Sequence, residues 1–247
     1  MNETEPKIRL HVESPLHGGV EIALGREQSH YLVTVMRLGE GAAVAAFDGR
    51  SGEWRTEVTT AHRKAAVLTA RGRLRAQTTL PDIHLLFAPI KKARTDFIVE
   101  KACELGCARV RPVLTRHTRS ERLNLDRLRA HMVEAAEQCG ELAVPDLDLP
   151  EPLDAVLADW PGERCLIFCD EARTAPPLPD ALTDIQRGIP AAILIGPEGG
   201  FAPEEAERLR AHPAAIPVSL GPRILRADTA AVAALTLVQS LLGDWTA

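Results

Sequence analysis

Apolar and polar residues follow two different patterns in the two parts of the chain. Before residue 77, short strand-like runs are separated by glycine-containing turns: IRLHVE, VEIAL, AAVAAFD, EWRTEVTTA and AAVLTARGRLR. Runs of this kind, bounded by turn residues, are typical of β-strands. One segment, REQSHYLVTVMRL, has apolar residues at helical spacing and predicts a helix within this β-rich module.

From residue 83 onward the pattern predicts strands that alternate with helices. IHLLFAP is a nearly continuous apolar run, TDFIVEKACELG is helical with a glycine stop, and ARVRPVL returns to a strand. The alternation continues with helices in LDRLRAHMVEAAEQCG, LPDALTDIQRG, PEEAERLRAH and ADTAAVAALTLVQSLLG, and strands in RCLIFCD, AAILIG and AIPVSL. It favours an α/β fold, with a mostly parallel sheet covered by helices. Because QTTLPD (77–82) has the composition of a linker, we predict domains at 1–76 and 83–247.

Composition narrows the class of protein. Apolar residues make up 45% of the chain and charged residues 26%, which excludes disordered and collagen-like proteins. No apolar run is long enough to span a membrane and the first residues lack the apolar core of a signal peptide, so we expect a cytoplasmic protein. The five cysteines fit free thiols in a reducing compartment, and their spacing predicts no metal site.

Charge is distributed unevenly along the chain. The net charge is −5, yet residues 91–129 contain 11 basic and 5 acidic residues. A local basic excess of this size suits the phosphates of a nucleic acid. The alternative is an ordinary solvated helix face.

Three of the predicted strands end in unusual sequences, FAPIKKARTD, IGPEGG and LGPRILRADTA. In an open α/β sheet the functional surface lies at the carboxyl ends of the strands. Glycine and proline let the backbone turn sharply and bring N–H and C=O groups close to a ligand. IGPEGG matches no phosphate-binding motif, and Glu198 would repel phosphate. An uncharged or cationic ligand fits better, such as a sulfonium cofactor carrying adenosine and an amino-acid tail; a plain turn before a helix is the alternative.

Two arginines, Arg223 and Arg226, lie three residues apart in the last of these loops. Two guanidinium groups between a buried strand and a buried helix indicate an anion or carboxylate partner. Asp228 either caps the final helix or takes part in the site.

Several segments together resemble the RsmE family, over nearly the whole chain and in the family's order: HYLVTVMRLGEG, KKARTDFIVEKACELG, AAEQCG, LIGPEGGF and LGPRILRADTA. The resemblance implies a SPOUT-class methyltransferase, with a PUA-like β-barrel for RNA and an α/β domain whose C-terminal segment forms a trefoil knot. It also implies a homodimer that uses S-adenosylmethionine to methylate N3 of one uridine in 16S rRNA, U1498 in the usual 16S numbering, within the small ribosomal subunit.

The resemblance further implies a cofactor pocket built largely of backbone, from the loops Leu86–Pro89, Ile195–Gly200 and Leu220–Leu225. The cofactor-binding residues so implied are Leu86, Ala88, Pro89, Ile195, Gly196, Pro197, Gly199, Gly200, Leu220, Gly221, Arg223, Ile224 and Leu225.

Chemistry at uridine N3 requires that a proton be removed and that negative charge on the uracil be stabilised. We expect Arg226 and Arg223 to stabilise that charge, and Glu198 and Asp228 to accept or relay the proton. A role of Glu198 in shaping its loop is the alternative. Because N3 lies on the Watson–Crick edge, the target base must be unpaired or drawn out of its helix.

Predicted RNA contacts follow from charge and position, and the residues are His30, Arg37, Lys91, Lys92, Arg94, Arg116 and Arg119. His30 is equally consistent with a capping or core histidine. The chain departs from the family where Asp228 replaces a usual Glu and Glu141 replaces a usual Arg. The second change reverses charge, so we expect no phosphate contact there, and Arg116, Arg119 or Arg122 to compensate.

Two other readings stay open at this stage. One is an RNA-binding protein that keeps the fold and has lost turnover. The other is a SPOUT methyltransferase that acts on transfer RNA or on another ribosomal position.

Overall fold

The structure is a computed structural model that describes residues 6–119, 122–172 and 174–245. The chain divides into two compact units, the first made of residues 1–79 with 136–144 and the second of residues 80–135 with 145–247. Among the described residues, no helix has the length and apolar character needed to cross a membrane.

A five-stranded sheet forms the first unit. Its strands pair in the order β1-β3-β4-β5-β2, with β1 parallel to β3 and the other pairs antiparallel. Three register shifts between β4 and β5 bend the sheet, as β-bulges do. The core is apolar and includes Leu32, Val44, Val58 and Leu68. The strands are β1 (Arg9–His11), β2 (Glu21–Ala23), β3 (Ala43–Phe47), β4 (Glu53–Thr60) and β5 (Val67–Arg75).

The predicted helix of this unit has two conformations along its length. It begins as α1 (Arg26–His30) and continues as a π-helical turn, Tyr31–Val35. Arg37 follows in the left-handed region, with φ of 56°. A π-turn next to a non-glycine residue at positive φ is a costly local arrangement of a kind that is frequent at functional sites.

Glu53 is the central charge of the first unit. Its buried carboxylate accepts hydrogen bonds from Arg9 at 2.6 Å and from Arg75 at 2.8 Å. Arg9 and Arg75 also donate to backbone carbonyls of the 136–141 segment, which belongs to the same unit. Burial alone would raise the pKa of Glu53, but the hydrogen bonds from both arginines outweigh it and hold the pKa below its usual value.

A parallel sheet forms the centre of the second unit. Its strands pair in the order β12-β10-β11-β6-β7-β8, and the short β9 pairs with β7 as well. Every residue of the AAILI strand is buried, as expected for a strand with neighbours on both edges and helices on both faces. The strands are β6 (Ile83–Phe87), β7 (Arg109–Leu114), β8 (Asp146–Leu147), β9 (Glu151–Pro152), β10 (Cys165–Cys169), β11 (Ala191–Ile195) and β12 (Ala215–Val218).

Six helices accompany this sheet along the chain: α2 (Lys92–Glu104), α3 (Leu125–Cys139), α4 (Leu153–Ala158), α5 (Leu178–Ala181), α6 (Pro203–Ala211) and α7 (Ala227–Leu241). α7 packs against α2 and β11. Buried Gln239 of α7 donates to the carbonyls of Leu105 and Gly106 just after α2, at 2.6 and 3.0 Å. These contacts fix the two helices whose first turns flank the site described below.

The predicted α/β class with a parallel sheet is confirmed, and the strands inferred from the pattern are present. Two details differ. The helix predicted in LPDALTDIQRG shortens to the single turn α5, and residues 136–144 belong to the first compact unit although they follow the linker. The domain ranges 1–76 and 83–247 stay predictions.

Replacing Glu53 by Gln should lower the free energy of unfolding by roughly 1–3 kcal/mol, because the largely buried Arg9 and the half-exposed Arg75 lose a charged acceptor. A carboxylate with a lowered folded pKa contributes stability above its unfolded pKa and loses it as the pH falls through the folded value. The difference in free energy of unfolding between wild type and variant should therefore be largest at neutral pH. It should shrink below a pH of about 4.5, the ordinary pKa of a glutamate. Urea unfolding at pH 7 and pH 3.5 measures this difference. An equal difference at both pH values would contradict the lowered pKa of Glu53.

Candidate active site

One cavity lies where three neighbouring strands end. β12, β10 and β11 are adjacent in the sheet and parallel, so their carboxyl ends share one edge. The cavity encloses about 570 Å³. It is lined by Arg94, Cys169, Asp170, Glu171, Ile195, Gly196, Pro197, Glu198, Gly199, Gly200, Leu220, Gly221, Arg223, Ile224, Leu225, Arg226, Ala227 and Ala230.

The glycine-rich loop after β11 is held by side chains from three other elements. Arg94 of α2 donates to Glu198 at 2.6 Å. His117, which follows β7, places Nδ1 at 3.2 and 3.0 Å from the carbonyl oxygens of Gly199 and Gly200. Glu171, which follows β10, accepts the backbone N–H of Phe201 at 3.0 Å. Since both contacts of His117 Nδ1 are to acceptors, that nitrogen carries a proton.

Glycine is required at two positions in this loop. Gly200 has φ of +70°, and a Cβ there would collide with Oε1 of Glu171. A Cβ on Gly196 would lie 2.6 Å from the ring of Phe201, which packs edge-to-face on Phe168 of β10. The glycines therefore let the loop turn tightly against its own supports.

Arg94 joins two walls of the cavity. Besides Glu198, its guanidinium lies 3.6 Å from a carboxylate oxygen of Asp228 in the first turn of α7. We predicted Arg94 as an RNA contact, which the structure does not test; its guanidinium is the ion-pair partner of both predicted carboxylates. Asp228 does not cap α7: the cap position is Arg226, and Asp228 accepts the N–H of Thr229 from within the first turn.

Arg223 and Arg226 line the cavity and are exposed. Within the described part of the chain neither guanidinium has an ion pair or a hydrogen bond. Ile224 between them is 79% exposed. The loop thus presents two unpaired positive charges and one uncovered apolar side chain to whatever fills the cavity.

The predicted loop Leu86–Pro89 does not reach the cavity. Leu86 and Ala88 are buried at 0% and 1% exposure, and Pro89 is buried beside them. β6 lies on the opposite side of β11 from β10 and β12, the strands whose ends form the rest of the cavity. The end of β10 takes its place and contributes Cys169, Asp170 and Glu171, which sequence reasoning missed. The sequence signal that could have identified them is the acidic pair Asp170 and Glu171 directly after the strand RCLIFC.

The two carboxylates after β10 have different environments. Burial favours a raised pKa for Asp170, but bidentate hydrogen bonds from Arg210 at 2.7 and 3.0 Å and one from Ala172 hold the pKa below its usual value. Partial loss of water raises the pKa of Glu171, and the nearby charge of Asp170 acts in the same direction. Burial raises the pKa of the Cys169 thiol to about 12, which leaves it unreactive.

The remaining predicted contacts lie outside the cavity. Lys91, Lys92 and Arg119 are exposed, and Arg116 pairs with Glu204 at 3.5 Å while its N–H donates to Glu205. His30 and Arg37 are exposed on the first unit. Glu141 also belongs to the first unit, and its carboxylate accepts the N–H groups of Leu142 and Ala143. Among the described residues, no cluster of His, Cys, Asp or Glu side chains could hold a metal ion.

Comparison with known proteins agrees with this geometry. The model of a family described as an RNA methyltransferase domain matches residues 77–239, and one described as an RNA methyltransferase PUA domain matches residues 24–70. A relative from Synechocystis, named ribosomal RNA small subunit methyltransferase E, is 32% identical and covers 90% of this chain and 73% of its own length. The relative of the same name from Rickettsia conorii is 27% identical over 96% of each chain.

Two solved structures resemble the whole chain. A Legionella pneumophila protein in complex with the bound cofactor SAM has a TM-score of 0.86 and 27% identity, over 98% of this chain and 100% of its own. The ribosomal RNA small subunit methyltransferase E of Neisseria gonorrhoeae, bound to S-adenosyl methionine, has a TM-score of 0.82 and 26% identity, over 97% of this chain and 99% of its own.

The chain is an RNA methyltransferase with an N-terminal PUA-like domain and a C-terminal α/β domain of SPOUT type. Within that class it belongs to the ribosomal RNA small subunit methyltransferase E family. The resemblance found in the sequence motifs is thereby confirmed, as is the PUA-like assignment. The trefoil knot stays a prediction.

Exchanging Gly200 for Ala should lower the free energy of unfolding by about 1–2 kcal/mol, because a Cβ is strained at positive φ and would displace Glu171. Gly199→Ala is the matched control, since its Cβ would meet only His117 at an ordinary 3.5 Å. Thermal and urea unfolding of both variants compare the two sites. Equal stability of the two variants would show that the loop is not held as described.

Proposed function

We propose that this enzyme transfers the methyl group of S-adenosylmethionine to N3 of one uridine of 16S rRNA, at the position numbered U1498, within the small ribosomal subunit. The observation that carries the proposal is the cavity itself. Its walls are the backbones of two Gly- and Pro-containing loops together with two exposed guanidinium groups, in a chain that belongs to the methyltransferase E family.

The cavity suits such a cofactor in size and chemistry. Its volume of about 570 Å³ lies in the range of small-molecule sites. The glycines at 196, 199, 200 and 221 keep the walls free of side chains, so backbone N–H and C=O groups can approach an adenine closely. S-adenosylmethionine, when bound, supplies a methyl group already activated by its positive sulfur.

The protein then has to orient the base and manage charge. Arg223 and Arg226 are placed to hold a carboxylate of the cofactor or to stabilise negative charge on uracil O2 or O4. Arg94 fixes the loop that carries Glu198, so we assign it to the pocket rather than to RNA.

RNA contact remains assigned to exposed basic residues of both units. His30 and Arg37 would serve the PUA-like domain, and Lys91, Lys92, Arg116 and Arg119 the methyltransferase domain. The proposal also includes a homodimer, which sedimentation equilibrium would test. It further includes a knotted C-terminal segment and action in the cytoplasm, where ribosomal subunits are available. Because N3 is on the pairing edge, a small subunit that presents the base unpaired is the expected substrate.

Wild-type protein tests the proposal directly. Calorimetry should show binding of S-adenosylmethionine, and small subunits from a strain lacking the modification should gain one methyl group on one uridine N3. Mass spectrometry of 16S fragments locates that group. Absence of cofactor binding would favour an RNA-binding protein without turnover, and a methyl group on any other nucleotide would favour the alternative substrate.

Arg94→Ala should raise the dissociation constant for S-adenosylmethionine about 3- to 10-fold, because ordering the freed loop costs roughly 0.5–1.5 kcal/mol. The pair is partly exposed, with side-chain exposures of 29% and 43%, so unfolding should change by no more than about 1 kcal/mol. Arg94→Lys should be intermediate, since an ammonium can pair with one carboxylate but does not bridge two.

Calorimetry and urea unfolding measure the two effects of Arg94 separately. Arg208→Ala, which removes an exposed arginine that pairs with Asp154 on the surface, is the control and should bind the cofactor as the wild type does. Wild-type affinity in Arg94→Ala would remove the residue from the pocket's support.

A further inference from the structure

The carboxylates around the cavity differ in what holds them. Asp170 is paired with Arg210, and Glu198 and Asp228 share Arg94. Glu171 differs from all three, because among the described residues its only hydrogen bond comes from the backbone N–H of Phe201. It is the one carboxylate at the cavity, within the part of the chain described, that forms no ion pair with an arginine or lysine.

Glu171 is also fixed in place at the cavity. It directly follows Asp170 at the carboxyl end of β10 and lines the cavity. Oε1 is held by Phe201, and the absence of a Cβ at Gly200 provides the space that this oxygen occupies. Oε2 has no partner among the described residues. One oxygen therefore anchors the carboxylate and the other is available to a ligand.

The environment of Glu171 suits proton acceptance. Partial loss of water and the neighbouring charge of Asp170 raise its pKa, although the Phe201 N–H and the nearby His117 and Arg210 oppose the shift. A carboxylate whose pKa is raised toward the working pH is a better general base than one held by a guanidinium. Oε1 of Glu198 instead accepts a hydrogen bond from the guanidinium of Arg94 at 2.6 Å.

We infer that Glu171, and not Glu198 or Asp228, accepts the N3 proton of the target uracil. The inference rests on the proposed function. As the N3–H bond breaks, the proton passes to Oε2 of Glu171 and the electron pair stays on N3. That pair forms the N3–CH₃ bond while the S–CH₃ pair stays on sulfur, giving S-adenosylhomocysteine. The protonated carboxyl then releases its proton to water through the open cavity.

Glu171→Gln is the test, because the amide keeps an Oε1 acceptor for Phe201 and loses only basicity. With saturating cofactor and small subunits, kcat should fall about 100-fold or more, and the fall of the wild-type rate toward low pH should vanish. Cofactor affinity should stay within about 3-fold by calorimetry. A carboxylate with a raised folded pKa destabilises the protein above that pKa, so the variant should unfold at the same or a higher temperature at pH 8.

Control variants distinguish the role of Glu171 from the roles of other glutamates. Glu163→Gln changes an exposed glutamate before β10, at the other end of the strand, and should leave kcat unchanged. Glu198→Gln should lower kcat less than Glu171→Gln does. Wild-type kcat in Glu171→Gln, or an unchanged kcat with cofactor affinity lost more than 10-fold, would overturn the inference. Failure of the wild type to methylate uridine N3 would instead overturn the proposed function.

Discussion

Arg94 reaches from the first turn of α2 to two carboxylates that belong to different walls of the cavity. Glu198 lies in the loop after β11 and Asp228 in the first turn of α7, and both depend on this guanidinium for their partner. Arginine suits the task because its planar group offers several donors in fixed directions. An ion pair as exposed as this one adds little to the free energy of folding, so its importance lies in the spacing of the two walls.

The same contact separates the tasks of the carboxylates. A carboxylate that takes up a proton needs a free oxygen, and one that is paired with a guanidinium is the weaker base. Around this cavity some carboxylates are paired with an arginine and one is not. Asp170, Glu198 and Asp228 are engaged by arginines and maintain geometry, while Glu171 is held by a backbone N–H and keeps its second oxygen. Arg223 and Arg226, which have no partner among the described residues, supply positive charge from the loop after β12.

Local pattern predicted most of the fold and part of the site. Apolar periodicity located the main strands, and the rule that ligands bind at strand ends selected the loops at 196–200 and 220–225. The rule did not reveal which ends meet, because strand order depends on long-range pairing. β10 lies between β11 and β12 in the sheet although it precedes both in sequence, which brings Glu171 into the cavity, whereas Leu86 of β6 does not line it. Ion pairs such as Arg94–Glu198, 104 residues apart, are likewise set only by packing.

Asp228 lies farther from Arg94 than Glu198 does. Its side chain is one methylene shorter than that of Glu198, and it lies 3.6 Å from Arg94, whereas Glu198 approaches to 2.6 Å. The first turn of α7 provides other support, since a carboxylate there is stabilised by the helix dipole and by the N–H of Thr229. Arg94 therefore pairs more closely with Glu198 than with Asp228 in this chain. The glycine-rich loop is therefore the better-fixed wall of the cavity. The wall next to α7, with exposed Ile224 and two arginines that have no partner among the described residues, has more freedom to rearrange around a ligand.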